Sequence, residues 1–243
     1  MYEELKQSII AACQKILQTN LARLSWCSVS AVDREHSVMA ISPDDLDPDT
    51  LTPDKIAVIS LDDQKQLEGE SAPAKDQQVH LQLYENFHQI QSVAKVQSKW
   101  LTATAQAGNR IPPLGVLQAD LFFGEVFCTR ELRVKEIEKH YKRNLALSVV
   151  ETLKQQRVYE DGAVLVRSHG PYVWAQTPIE AVNLSAKLED ICELNAMTKI
   201  VSDSETCYIP FALSRKRFFG THQAPELNPL MVAMFKKGET SEE

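Results

Sequence analysis

The 243-residue sequence has no excess of basic residues: 33 Asp and Glu stand against 26 Lys and Arg, for a net charge of -7 and a pI near 5.5. That balance argues against a nucleic-acid surface, which needs clustered Lys and Arg to neutralise phosphates. No apolar run approaches the stretch of about 20 residues that a membrane helix requires. No CxxC pair occurs. The five cysteines, Cys13, Cys27, Cys128, Cys192 and Cys207, are odd in number and far apart, and no signal peptide precedes Tyr2, so the expectation is reduced thiols in a cytoplasmic protein. GxGxxG, P-loop, internal repeat and obvious linker are all missing, so 1–243 reads as a single domain with a divergent, partly mobile segment over 203–243.

What is present is ordinary for a soluble globular protein, 44% hydrophobic and 24% charged. Tyr2 to Thr19 reads as an amphipathic helix with Ile9, Ile10, Cys13, Ile16 and Leu17 on one face. Leu24 to Val32 and Val38 to Ile41 read as strands around a turn at Asp33-Arg34-Glu35-His36. Pro43 to Pro53 is an Asp- and Pro-rich loop, Lys55 to Leu61 a strand, and Leu67 to Gln78 a polar loop. Val79 to Phe87 is a helix and Ser92 to Val96 a short strand. Trp100 to Ala107 is a helix closed by Gly108 in the place of a left-handed cap. Leu121 to Val126 reads as a strand and Glu131 to Arg157 as one long helix or two. Ala163 to Val166 is the last clear strand, and Pro178 to Ile200 a long helix with proline in its first turn. The last forty residues read as irregular. This pattern predicts an α/β fold, a three-layer α/β/α sandwich around a largely antiparallel sheet.

The stretch from Ala163 to Trp174 draws most attention. An apolar strand runs into a polar turn carrying His169 and Gly170-Pro171, an arrangement suited to holding a ligand group over a pocket.

Several pieces in register carry a resemblance: Trp26 with Val29-Ser30-Ala31-Val32-Asp33-Arg34, Asp76 and His80, Ala105-Gln106-Ala107-Gly108 with Ile111-Pro112, Ala119-Asp120, Gly124, Cys128-Thr129-Arg130, Val150-Glu151-Thr152 and Ser168-His169-Gly170-Pro171. From the first helix to about Ile200 the chain resembles the bacterial L-ribulose-5-phosphate 4-epimerases, within the class II aldolase and adducin-head superfamily. The resemblance implies a homotetramer with a zinc-type metal at the subunit boundary, where the metal stabilises an enediolate during retro-aldol and aldol steps.

The sequence departs from that family at its chemical positions. Where the resemblance implies a His-x-His metal pair, it reads Lys95-Val96-Gln97. A protonated lysine offers no lone pair, and an amide is a poor zinc ligand. His169 alone remains of three implied histidines, with Asp76 as the acidic residue beside it. At the implied phosphate grips stand Cys27-Ser28, Ser42-Pro43-Asp44-Asp45 and Ala74-Lys75. Carboxylates at Asp44 and Asp45 would repel a sugar phosphate, since like charges near 4 Å cost roughly 1 to 4 kcal/mol; Lys75 offsets part of this. Asp120 resembles the family's acid/base carboxylate, contributed across the subunit boundary.

Each candidate also has a plainer reading. His169 reads as an imidazole satisfied by a backbone or carboxylate partner. Lys95 reads as a cation paired with Asp76 in place of the metal charge, rather than as a Schiff-base nucleophile. Asp120 reads equally as an inter-subunit hydrogen-bonding carboxylate. Asp44, Asp45 and Asp47 read as a solvated loop, and His80 as a packing or capping residue. Cys27 is the thiol to test for reactivity. Arg215-Lys216-Arg217 reads as a solvated helix end, with Phe218-Phe219 docking a neighbouring subunit.

The expected function is therefore a catalytically degenerate homologue, a pseudoenzyme kept as a structural or regulatory subunit, with no cofactor expected. It would be a homo-oligomer or a hetero-oligomer with an active paralogue, and the adducin head is a precedent for this fold without aldolase chemistry. The alternative is an active metal-dependent epimerase or aldolase with rearranged ligands Asp76, His80 and His169, holding zinc or another divalent metal.

Overall fold

Short apolar runs, buried along nearly their whole length, produce most of the sheet. In the computed structural model, which describes residues 2–19, 21, 27–44, 47–155, 161–202 and 208–222, the strands are β1 (Ser28–Asp33), β2 (Val38–Ile41), β3 (Ala57–Ser60), β4 (Gln66–Glu68), β5 (Ser92–Lys95), β6 (Gly162–Val166) and β7 (Gly170–Ala175). They form one seven-stranded sheet in the order β4-β3-β2-β1-β5-β7-β6, antiparallel at every pairing. The helices are α1 (Glu3–Leu17), α2 (Gln77–Asn86), α3 (Lys99–Ala107), α4 (Val116–Leu121), α5 (Val134–Glu138), α6 (Tyr141–Leu153), α7 (Pro178–Val201) and α8 (Phe211–His222). The result is the expected α/β/α sandwich.

Register decides which side chains meet. Ser30 pairs with Ile41 and Val93, Val93 with Trp174, Lys95 with Ser28 and Tyr172, and Tyr172 with Val164. Directly paired residues project to the same face. One face therefore carries Ser28, Ser30, Val32, Met39, Ile41, Val93, Lys95, Tyr172, Trp174, Val164 and Val166. Its apolar members form a core with Leu81, Leu83 and Tyr84 of α2 and Leu145, Val149 and Leu153 of α6. Helix α1 packs on β1 and β2, and α3 on β6 and β7. A buried Glu189 on α7 accepts the N–H groups of Trp100 and Leu101 and the Ser98 hydroxyl, closing the N-terminus of α3.

The chain divides into two compact units, one of Met1–Ile111 with Val126–Ala196, the other of Pro112–Glu125 with Met197–Glu243. In the second, α8 packs on α4, and Phe123 meets the rings of Phe211, Phe218 and Phe219 at 5.3 to 6.1 Å.

Several sequence expectations are corrected. Leu121 to Val126 is not a strand: Leu121 ends α4, and Val126 makes only an isolated bridge to Ile111. Its Phe123 serves ring packing instead of a ladder. Gly170-Pro171 opens β7 rather than prolonging the turn; pairing with β5 starts only at Tyr172, so Pro171 sits where that ladder has not begun. The polar run after Leu61 holds edge strand β4. Of the two alternatives for Glu131 to Arg157, one helix or two, the described part to residue 155 has two, α5 and α6, separated where His140 takes a left-handed φ of 58°. The terminal segment holds α8, and Phe218-Phe219 pack within their own unit. Gly108 does adopt the left-handed cap, φ 70°. Residues 24–26 of the first strand expectation, and Asp45, lie outside the described residues.

Candidate active site

Three elements bring the polar candidates together on the sheet face that carries Lys95. The last residue of β5 is Lys95. Asp76 precedes α2, and His169 ends the turn between β6 and β7. Asp76 is the hub. Its Oδ2 lies 3.6 Å from Lys95 Nζ and 3.2 Å from His169 Nε2, and His169 Nε2 is also 3.2 Å from the Tyr172 hydroxyl. Lys95 is 4% exposed, whereas Asp76 and His169 keep partial access to solvent at 18% and 19%. Burial alone would raise the Asp76 carboxyl, but the His169 bond and charge and the Lys95 ammonium together hold it well below the usual carboxylate range. Asp76 is thus a fixed anion. Burial beside that anion pushes the Tyr172 phenol far up, so it stays protonated.

Beneath this cluster runs a second polar chain that the sequence reading missed. His80 is fully buried on α2. Its Nε2 meets the Ser28 hydroxyl at 3.0 Å and its Nδ1 the Ser30 hydroxyl at 2.7 Å. Ser30 Oγ also meets the Tyr84 hydroxyl at 2.7 Å. Burial pushes the His80 imidazole down to about 4, with the Asp76 charge opposing and Lys95 assisting. The available signal was the spacing: serines two apart on one strand face, and His80 and Tyr84 four apart on one helix face. Arg34 completes this corner by donating to the carbonyls of Tyr84, Phe87 and Ile90 at the end of α2.

The donor set does not fit the divalent metal that the resemblance implies. At one implied ligand position stands the Lys95 ammonium. At another, the Gln97 amide donates to the His169 carbonyl oxygen at 3.2 Å and accepts from the Thr102 hydroxyl. Both ring nitrogens of His80 face serine hydroxyls, which removes it from the rearranged set of Asp76, His80 and His169. Among the described residues no group of three His, Cys, Asp or Glu could hold a metal ion.

The implied phosphate positions are also engaged within the chain. The Ser28 hydroxyl meets His80. The Ser42 hydroxyl accepts the Val29 N–H at 3.0 Å, closing the end of the β1–β2 pair. Ala74 is fully buried. The N–H of Lys75 donates to Asp44 Oδ2 at 2.7 Å, so a carboxylate of the chain takes the amide that an anion would use. Burial raises the Asp44 carboxyl, and Asp76 adds to the effect. Cys27 is not a poised nucleophile: burial pushes its thiol up, outweighing the Gln97 N–H and Lys95 that favour thiolate. Asp120 belongs to the second unit, where Arg217 donates to it through Nε at 2.7 Å and through Nη2.

Comparison with known proteins places this arrangement. Residues 7–196 match the family described as Class II Aldolase and Adducin N-terminal domain. The chain is 32% identical over 192 residues to L-ribulose-5-phosphate 4-epimerase UlaF of Salmonella paratyphi B, covering 79% of this chain and 84% of that protein. An L-fuculose 1-phosphate aldolase superposes with a TM-score of 0.74 at 20% identity, over 90% of this chain and 95% of that one. An aldolase II superfamily protein from Pseudomonas syringae does so with a TM-score of 0.66 at 17% identity, over 98% and 93%. At those identities the structural likenesses speak for the fold alone.

Proposed function

The chain belongs to the class II aldolase and adducin N-terminal domain family, and from that premise we propose that it is a catalytically degenerate member, without metal-dependent retro-aldol chemistry, that serves as a structural or regulatory subunit. The observation that carries this reading is the enclosed Lys95 ammonium 3.6 Å from Asp76. A divalent ion needs lone pairs from its surroundings. Here a side-chain cation neutralises the carboxylate instead, and a second cation beside it would be repelled. Asp44 on the Lys75 amide supports the same reading at the anion end. The chain's own charges fill both halves of the site.

Under this reading no resident metal is bound, and the protein acts through assembly, as a homo-oligomer or together with an active relative. The test is elemental mass spectrometry on protein purified without chelator, with an assay on L-ribulose 5-phosphate supplemented with zinc or manganese. Metal far below one per chain and no epimerisation are expected. Near-stoichiometric metal with turnover would overturn the reading.

A further inference from the structure

We propose that the segment 208–222 is a strap that withdraws Asp120 from acid–base use by placing Arg217 across both of its carboxylate oxygens. Asp120 lies on α4, a helix of six residues. One and a half turns cannot hold a helix in water without tertiary support, and the strap supplies that support. At its start the Ile209 N–H donates to the Pro113 carbonyl at 2.9 Å, and the Tyr208 hydroxyl donates to Glu125 Oε1 at 2.6 Å. Further along, Phe211, Phe218 and Phe219 gather round Phe123, with Phe218 buried. These contacts fix α8, and α8 fixes Arg217.

The guanidinium then meets the carboxylate in a two-pronged pair, Nε on Oδ1 and Nη2 on Oδ2. Such a fork fits carboxylate geometry and engages both oxygens in their own plane. A general base must offer one of those lone pairs to a proton on its substrate. In this arrangement the fork holds one lone pair on each oxygen and covers that edge of the carboxylate, and the residue that the resemblance places at an acid/base position works as an anchor for α8. The inference rests on the second unit alone. It stands or falls independently of whether Lys95 and Asp76 exclude a metal.

Chemical labelling of the full chain with a carbodiimide and an amine, read at Asp120 by peptide mass spectrometry, tests it. Arg217→Gln is expected to raise the labelling rate of Asp120 about five-fold over the wild type, with Arg217→Lys in between, because a lysine gives a point charge in place of the fork. Hydrogen exchange over 208–222 is measured on the same samples. It should remain protected in Arg217→Lys, where the phenylalanine cluster is intact, and rise in Phe123→Ala together with Asp120 labelling. Equal labelling of Asp120 in wild type and Arg217→Gln would show an open carboxylate and overturn the strap.

Discussion

Lys95 Nζ and Asp76 Oδ2 stand 3.6 Å apart on different elements, the end of β5 and the start of α2, and both are largely closed to solvent. Removing one member of an enclosed pair leaves the other's charge uncompensated, which costs more than the intact pair contributes. Lys95→Met should lower unfolding free energy by about 2 kcal/mol, below the cost of a fully buried pair because Asp76 keeps His169 and some solvent. Adding Asp76→Asn to that variant should restore much of the loss. Urea denaturation of the single and double variants measures this. Additive losses would show that the two charges do not depend on each other.

His80 makes stability depend on pH in a defined window. Its folded pKa, about 4, lies below the ordinary histidine value of 6.5. Between those values the unfolded chain binds a proton that the folded chain refuses. The contribution is therefore fully present above pH 6.5 and is lost as pH falls towards 4, for a total of about 3 kcal/mol. The neighbouring charges bear on its size: Asp76 favours the imidazolium, and Lys95 disfavours it. Urea midpoints measured across this range should fall with acidity in the wild type. His80→Asn should remove most of that slope, and an unchanged slope would count against a neutral buried imidazole.

Asp76 acts lower on the scale. Its folded carboxyl is held below the usual range, so its stabilisation is present above the unfolded value near 3.9 and fades as pH falls further. His169→Gln should weaken that stabilisation by removing the imidazole that holds the Asp76 carboxyl down. The variant would then lose less stability than the wild type below about pH 4.

Glu189 offers a check on the scaffold away from the charged cluster. Replacing it with Gln removes a carboxylate from the N-terminus of α3 and leaves fewer acceptors for Ser98, Trp100 and Leu101. The expected loss is about 2 kcal/mol, read as a lower urea midpoint. A change within experimental scatter would mean that solvent replaces the cap.

Metal removal should have no effect on the fold. Dialysis against a chelator, or addition of zinc, should leave the thermal midpoint unchanged, because a ligand stabilises only by binding the native state. A zinc-dependent rise would reopen the question of metal ligands.

Much of the sheet was legible because it rests on local patterns. β2, β3, β5 and β6 are short apolar runs with turn residues at their ends. β7 was hidden because Gly170-Pro171 signals a turn by residue type, while pairing on both flanks decides its state. α8 was hidden by its Arg215-Lys216-Arg217 cluster; its stripe of half-buried Phe211 with buried Ser214 and Phe218 emerges only once Phe123 is placed against it. The site divides in the same way. Lys95, Gln97 and Asp44 could be singled out as substitutions at expected positions. The bonds of His80 to Ser28 and Ser30, and of Arg217 to Asp120, join residues 50 to 97 positions apart, and no local period announces them.

The strand order has a consequence for how the molecule comes together. β1 to β4 form a meander of sequence neighbours, whereas β5 must find β1 across the whole of α2, and β7 must then find β5 across α3 to α6. Closing long loops costs entropy before any contact repays it, so the four-strand meander is expected to form early and the β1–β5–β7 seam late. Lys95 sits on that seam. Until β5 docks, Asp76 lacks the Lys95 ammonium beside it, so on that expectation the pairing of these two charges would mark the closing of the seam.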